Sequence, residues 1–460
     1  MTMAGSGTPA QGLRVGAAST LITPVAGLEM GGYIARAAPA SGVLDDLRCQ
    51  AVVFGDGTTR LALAVCDLLY MTEPIRERAC ALLRQRAGFA GHEVMLTATH
   101  THCGPAHLAS PAHRDLQSYL AGQIADAVCL AADAAQPARL LTASAEVGLM
   151  SANRRDPAGP HDQTAQIVVA EPTGKAGGGA IAVLVNFPCH PTVLEHDTCR
   201  YSADFPGAMR QLVESVCGGT AVFLQGCAGD INPVFTEHTP AERTRAGALL
   251  GTACAHHALA VSRQQAGARV INLSLGTEPP VTGQSAGRPV APAPLRAGLA
   301  RVPVTARQRP PHDAVRRELD SLRTALAGET DPLVLARRKP REAELWIEDL
   351  LVTQAQRFDG TDPPVRPPGE DTLPVQVFRL GADLAIAALP GEPFTGTARQ
   401  IRAGIPGAVL VAGYANHAAG YLPAREEFGH SGYEVGSSQY APGTAERLAS
   451  AAVALLGDLS

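Results

Sequence analysis

Between Ala51 and Leu275, short apolar runs alternate with longer amphipathic stretches, and that alternation most limits how this chain folds. Ala51–Phe54 and Leu61–Cys66 read as a hairpin around Gly55–Thr59, with Asp-Gly in the turn. Pro74–Gln85 reads as a helix, because a proline near the first turn removes only an N–H that has no partner there. Glu93–Thr97 is a strand and Leu116–Ala135 a long helix. Leu140–Val147, Ala165–Ala170 and Ile181–Phe187 are further strands. Asp204–Val216 is a helix capped by Ser202 or Asp204; Ala221–Leu224 is a strand, Pro240–Ala260 a helix, and Val270–Leu275 closes this half. Strands resume at Pro374–Leu380, Leu384–Ala388 and Val409–Ala412, before a closing helix, Thr444–Leu456. The expected class is therefore α/β, with layered β-sheets flanked by helices; parallel or antiparallel pairing is not settled by the pattern.

Between the two halves the composition changes. Glu278–Pro311 is rich in Pro, Ala, Gly and Arg, Asp313–Ala327 and Arg341–Gln356 are helical in pattern, and Asp362–Pro368 is proline-rich. Residues 276–371 read as an inserted Pro/Arg-rich helical segment outside the core, leaving 1–275 and 372–460 as one domain.

Composition excludes some functions. Net charge is −5, so no basic footprint for nucleic acid exists. No apolar run is long enough to span a bilayer, and Met1–Arg14 lacks the apolar core of a signal peptide. Ten cysteines without a CxxC pair read as reduced, buried thiols. The expected setting is cytoplasmic, without stable membrane association, and homo-oligomers stay open. Only Lys175 and Lys339 are lysines among 38 basic residues, which reads as a GC-rich bacterial gene.

Four segments carry chemistry. Thr97-Ala98-Thr99-His100-Thr101-His102-Cys103-Gly104-Pro105 follows an apolar strand. In an extended chain His100 and His102 share a face, which suits a metal, although a bare HxH is as readily a hydrogen-bonded surface pair. His190 in Asn186-Phe187-Pro188-Cys189-His190-Pro191 also ends a strand; alone it is as well a core histidine, with His196 a competing ligand. Glu392 in Leu389-Pro390-Gly391-Glu392 follows a strand and a bend and is placed to be an oxygen ligand, although this segment alone favours a glutamate at a helix N-terminus. A loop from Gly413-Tyr414-Ala415-Asn416 through Tyr421, Glu426-Glu427 and Tyr433-Glu434 gathers tyrosines and carboxylates. Cys103 is rejected as a nucleophile, because neighbours in an extended chain face opposite ways. Asp67, after a strand, is a candidate for orienting a histidine. Asp204 and Asp230 have no assigned role.

In their shared order these segments resemble the catalytic domain of the neutral, non-lysosomal ceramidases, over Val15–Leu275 and Leu373–Leu456. The opening Val15-Gly16-Ala17-Ala18 through Met30-Gly31-Gly32-Tyr33 belongs to the same pattern. The resemblance implies a fold of that type with one zinc per chain, held by His100, His190, Glu392 and Tyr421. It implies polar groups around the substrate amide at His102, Arg154 and Tyr433. The chain departs from the pattern where the family carries a serine, in a loop that here reads Gly226-Cys227-Ala228-Gly229-Asp230-Ile231-Asn232-Pro233. Asn232 cannot form an acyl-enzyme, but it can donate to a carbonyl or oxyanion. The family's C-terminal accessory domain and secretion signal are not expected here, and 276–371 has no clear counterpart. These departures turn the expectation from ceramide toward zinc-dependent hydrolysis of a C–N amide bond in a soluble small molecule by metal-activated water. His102 is the expected acid toward the leaving amine. Ester or lactone hydrolysis or cyclisation at the same metal, and a catalytically degenerate ligand-binding domain, are the alternatives.

Overall fold

The computed structural model describes residues 12–156, 158–174, 179–269, 287–331, 334–335, 341–342, 345–349, 370–430 and 432–459. Val270–Leu275, Asp362–Pro368 and most of Arg341–Gln356 lie outside the described residues.

The strands expected from apolar runs form, most of them a residue or more longer. The strands of this half are β1 (Arg14–Leu21), β2 (Arg48–Gly55), β3 (Arg60–Cys66), β4 (Val94–Ala98), β5 (Gln136–Glu146), β6 (Ser151–Asn153), β7 (Thr164–Pro172), β8 (Ala182–Phe187), β9 (Thr220–Gln225) and β10 (Ile231–Pro233), of which β1, β6 and β10 were not expected from the sequence. Helices α1 (Glu73–Ala87), α2 (Arg114–Asp133), α3 (Asp204–Cys217) and α4 (Pro240–Gln265) intervene. The main sheet runs β4-β3-β2-β1-β5-β7-β8-β9, with β11 (Arg288–Pro289) paired to β5. It is antiparallel through its centre and parallel at both ends, where β3 pairs β4 and β8 pairs β9.

A second sheet, β12-β13-β14-β16, contains β12 (Arg296–Thr305), β13 (Glu370–Arg379), β14 (Leu384–Ala388) and β16 (Ala408–Ala412). Strand β12 corrects the reading of its segment as lying outside the core. All ten of its residues pair with β13, from Arg296↔Arg379 to Thr305↔Glu370. Its sequence, with arginines and a proline, carries no strong alternation because one face is only partly covered. Helix α5 (His312–Leu326) follows, and α6 (Thr395–Ala403) and α8 (Thr444–Asp458) pack on the second sheet; α7 (Tyr433–Ser437) is one short turn.

Strand periodicity explains the layering. Alternate residues of β2 and β3, such as Ala51, Val53, Ala62 and Ala64, pack under α1 and α2. Their neighbours Val52, Phe54, Leu61 and Leu63 meet Phe378, Leu384, Ile386 and Leu410 of the second sheet. Helices α3 and α4 cover the other half of the first sheet through Phe205, Met209 and Leu250. The order is helices, sheet, sheet, helices, the layered mixed α/β class expected from sequence. At Gly16 a Cβ would come within 2.0 Å of the Ala131 carbonyl, so only glycine lets α2 lie this close to β1.

Candidate metal centre

The site forms where strands end. The chain leaves the carboxyl ends of β3, β4, β8, β9, β14 and β16 toward one place, as open α/β sheets commonly do. From β4 comes His100, but not by strand pleating as the sequence suggested. The strand stops at Ala98, and His100 takes φ +66°, left-handed backbone that few non-glycine residues adopt. Its N–H bonds the Leu68 carbonyl, and its ring lies 4.1 Å, centroid to centroid, from that of Tyr414, itself at φ +56°. This turn brings the Nε2 atoms of His100 and His102 to 3.2 Å. Gly32 lies against the His102 ring so closely that a Cβ there would stand 2.4 Å from its Cγ.

His190 follows β8 and is wholly buried. Glu392 is not at a helix N-terminus: it forms β15 (Glu392–Pro393), a two-residue parallel pair with β17 (Tyr421–Leu422), in which Glu392 and Tyr421 are register partners. The Glu392 Oε2 stands 3.1 Å from Nε2 of His190 and 3.3 Å from Nε2 of His100. Its Oε1 accepts a short hydrogen bond from the Tyr70 hydroxyl.

The protons on the rings follow from their partners. His100 Nδ1 lies 2.8 Å from the Leu69 carbonyl, and His190 Nδ1 lies 2.7 and 3.0 Å from the Ala228 and Ile231 carbonyls. A carbonyl only accepts, so both Nδ1 atoms carry the hydrogen and, in neutral rings, both Nε2 atoms present lone pairs. Burial holds His190 neutral, with Arg154 acting the same way, down to about 4. Burial, then His100 and His190, push His102 well below its ordinary value. Burial raises the Glu392 carboxyl; His100 and His190, where protonated and donating to it, outweigh burial and lower it well below its ordinary value. With both rings neutral, bare imidazole nitrogens face a carboxylate with no hydrogen between them, and this donor arrangement fits a cation. His100, His102 and His190 could hold a metal ion, their ligating atoms all lying within 4.8 Å of one another. Nitrogen donors beside one carboxylate suit zinc, and main-chain carbonyls behind the rings are the usual orienting partners. Two further buried polar atoms, His102 Nδ1 and the Tyr414 hydroxyl, have no hydrogen-bond partner.

Around this cluster the remaining candidates assemble. Strand β10 pairs with β6, bringing Asn232 beside Ala152 and so next to Arg154. Arg154 donates to the Tyr421 hydroxyl at 2.9 Å, the Gly229 carbonyl at 2.6 Å and Asn232 Oδ1 at 3.3 Å, and its Nε stands 2.9 Å from Glu434. Burial opposes its charge, but Tyr421 and Glu434 hold it firmly protonated. With its oxygen engaged, Asn232 has its amide NH2 left to offer. Tyr421 and Tyr433 meet edge to face; Tyr433 keeps about a third of its surface open, but the protein packed around its hydroxyl pushes it up to about 12, so the hydroxyl keeps its proton. His100, His102, Arg154, Asn232, Glu392, Tyr421 and Tyr433 all line one cavity of about 860 Å³.

Other expectations fall away from it. His196 is 44% exposed and meets Glu195 at the rim, apart from the cluster. Cys103, already rejected as a nucleophile, is buried against Arg36, and burial pushes its thiol up to about 12. Asp67 orients no histidine; it receives both terminal nitrogens of Arg210 at 2.8 and 2.6 Å. Ala203, not Ser202 or Asp204, caps α3. Asp230 ties the loop after β9 to Thr395 at the start of α6. Tyr70 was missed: nothing around Asp67-Leu68-Leu69-Tyr70 signals chemistry beyond its place at a strand end.

Residues 13–259 match the family model for neutral/alkaline non-lysosomal ceramidases, N-terminal. The fold is similar to a crystal structure of neutral ceramidase from Pseudomonas aeruginosa, with a TM-score of 0.72 and 21% identity, over 98% of this chain and 74% of that one. A ceramidase complexed with C2 gives a TM-score of 0.70 at 21% identity, over 98% of this chain and 75% of that one. Among curated proteins, none matches the chain.

Proposed function

Since the chain belongs to the neutral/alkaline non-lysosomal ceramidase family, we propose that it is a zinc-dependent amidohydrolase acting on the C–N bond of a small-molecule amide. Family and fold support amide hydrolysis in general. The observation that carries the metal is the pair of buried imidazoles, His100 and His190, whose hydrogens are committed to carbonyls and whose lone pairs face one oxygen of Glu392.

His100, His190 and Glu392 would hold the ion, with Tyr421 beside them as fourth donor. Bound there, zinc supplies a Lewis acid that polarises a carbonyl and acidifies water. The chain's own residues supply the rest. Arg154, fixed by Glu434 and Gly229, and the Asn232 amide place donors where negative charge grows on the carbonyl oxygen. One such donor contributes about 2.7–4 kcal/mol to the transition state. His102, which lines the cavity and which burial and its two neighbouring imidazoles hold neutral in the free chain, is the residue we assign to pass a proton to the leaving nitrogen. Tyr433 donates to the substrate amide.

The test measures zinc by elemental mass spectrometry in the purified chain and in Glu392→Ala. It is paired with carboxylate and amine release from a panel of N-acyl amines. Zinc near one per chain, lost in the variant along with amide turnover, supports the reading. Turnover that survives both the substitution and complete chelation would refute it.

A further inference from the structure

The cavity has a polar floor and a different mouth. Ile34, Phe235, Trp346 and Tyr433 line it, and each is 36–43% exposed. Single exposed apolar side chains are ordinary, but several around one cavity mark a recognition surface. Trp346 is the only tryptophan in the chain. It sits on the short helical stretch 345–349, between two residues that serve as anchors. Leu345 is 1% exposed and packs with Val315 and Leu319 of α5. Ile347 is also buried and lies against Gly436 of α7, where a Cβ would come within 3.1 Å of it. Next to it, Glu348 forms a short ion pair with Arg309, which also donates to the Ser438 carbonyl at 2.8 Å. This stretch is therefore fastened to the turn that begins at Tyr433, and Trp346 faces the cavity.

Charge narrows what can enter. Among the described residues that line the cavity, the guanidinium groups are those of Arg36 and Arg154. Arg36 is occupied by the carbonyls of Gly31, His102, His196 and Thr198, and Arg154 by the contacts given above. At the rim stand two half-exposed carboxylates, Glu29 and Glu195, beside the imidazoles of His107 and His196. An entering anion would meet like charge, whereas a flat apolar ring would meet Trp346 and Phe235.

We infer that Trp346 determines the specificity of this site, stacking on a flat, uncharged aryl group of the substrate. The site thereby favours aryl-bearing amides over small alkyl or carboxylate-bearing ones. The inference rests on the amidohydrolase reading, and its test keeps the two apart.

Phenylacetamide, acetamide and 4-carboxyphenylacetamide are titrated into the zinc-loaded protein while the emission of Trp346 is followed. A saturable change with phenylacetamide, at least about tenfold weaker with the other two, is expected. No change with phenylacetamide, or equal responses to all three, would overturn the inference. A kinetic arm compares the p-nitroanilides of phenylacetic and acetic acids in the natural protein and in Trp346→Ala. The preference for the phenylacetyl substrate should fall by about tenfold, mainly through KM. A preference unmoved by the substitution also overturns it. If neither anilide is cleaved while phenylacetamide still perturbs Trp346, recognition stands and the amidohydrolase reading fails.

Discussion

His190 presents Nε2 to Glu392 Oε2 at 3.1 Å while its other nitrogen is held between the Ala228 and Ile231 carbonyls. Neither atom can rotate away, so removing either side chain should remove the ion. His190→Ala is expected to drop zinc from about one per chain to a small fraction and turnover by about three orders of magnitude or more. Elemental analysis of the folded variant decides it; a full complement of zinc would move the centre elsewhere.

Tyr70 holds the second oxygen of Glu392. Orienting partners of this kind typically change metal affinity about 10–100-fold. Tyr70→Phe should therefore bind zinc more weakly by that factor, measured by competition with a chromophoric chelator, and keep its thermal stability in the metal-free state. Unchanged affinity would make the bond incidental.

Arg154→Lys keeps a charge but loses the fork that reaches Gly229, Tyr421 and Asn232 together. We expect kcat/KM to fall about 10²–10³-fold, with the loss mainly in kcat, since the donor acts on charge that develops late. A change confined to KM would instead assign Arg154 to ground-state binding.

The buried pair of Arg210 and Asp67 makes a stability prediction away from the site. Arg210→Ala leaves a carboxylate in a dry interior and should cost about 3–5 kcal/mol in urea unfolding. Arg210→Met with Asp67→Leu should cost clearly less. If single and double variants are equally impaired, packing rather than charge dominates there.

Asp204 gives a pH dependence. Burial, its largest influence, lifts the carboxyl to about 6 against the amides of Leu194 and Phe205 and the charge of Arg243, and Asp45 adds to the lift. An unfolded aspartate titrates near 3.9. Between about pH 4 and 6 the folded chain therefore holds a proton that the unfolded chain has released. Stability should fall as pH rises through that window, by an amount on the order of 3 kcal/mol for this group. Asp230, likewise lifted to about 6 by burial, acts in the same sense. Asp204→Asn should flatten the profile in part; a slope matching the natural protein would remove Asp204 from the account.

The sequence by itself determined the layered α/β class, because strand and helix leave different apolar periods and most elements here are covered on at least one face. It failed at β12, where one face is only partly covered and the period is weak. His100, His102, His190, Glu392, Arg154, Asn232, Tyr421 and Tyr433 were legible as candidates through short motifs in a familiar order. What brings them together was decided by tertiary structure. The left-handed turn at His100, the two-residue pairing of Glu392 with Tyr421, and carbonyls that fix each ring's proton all depend on contacts between distant segments. Tyr70 and Arg210 escaped the reading for the same reason: each acts through a partner more than 140 positions away, and no local pattern encodes it.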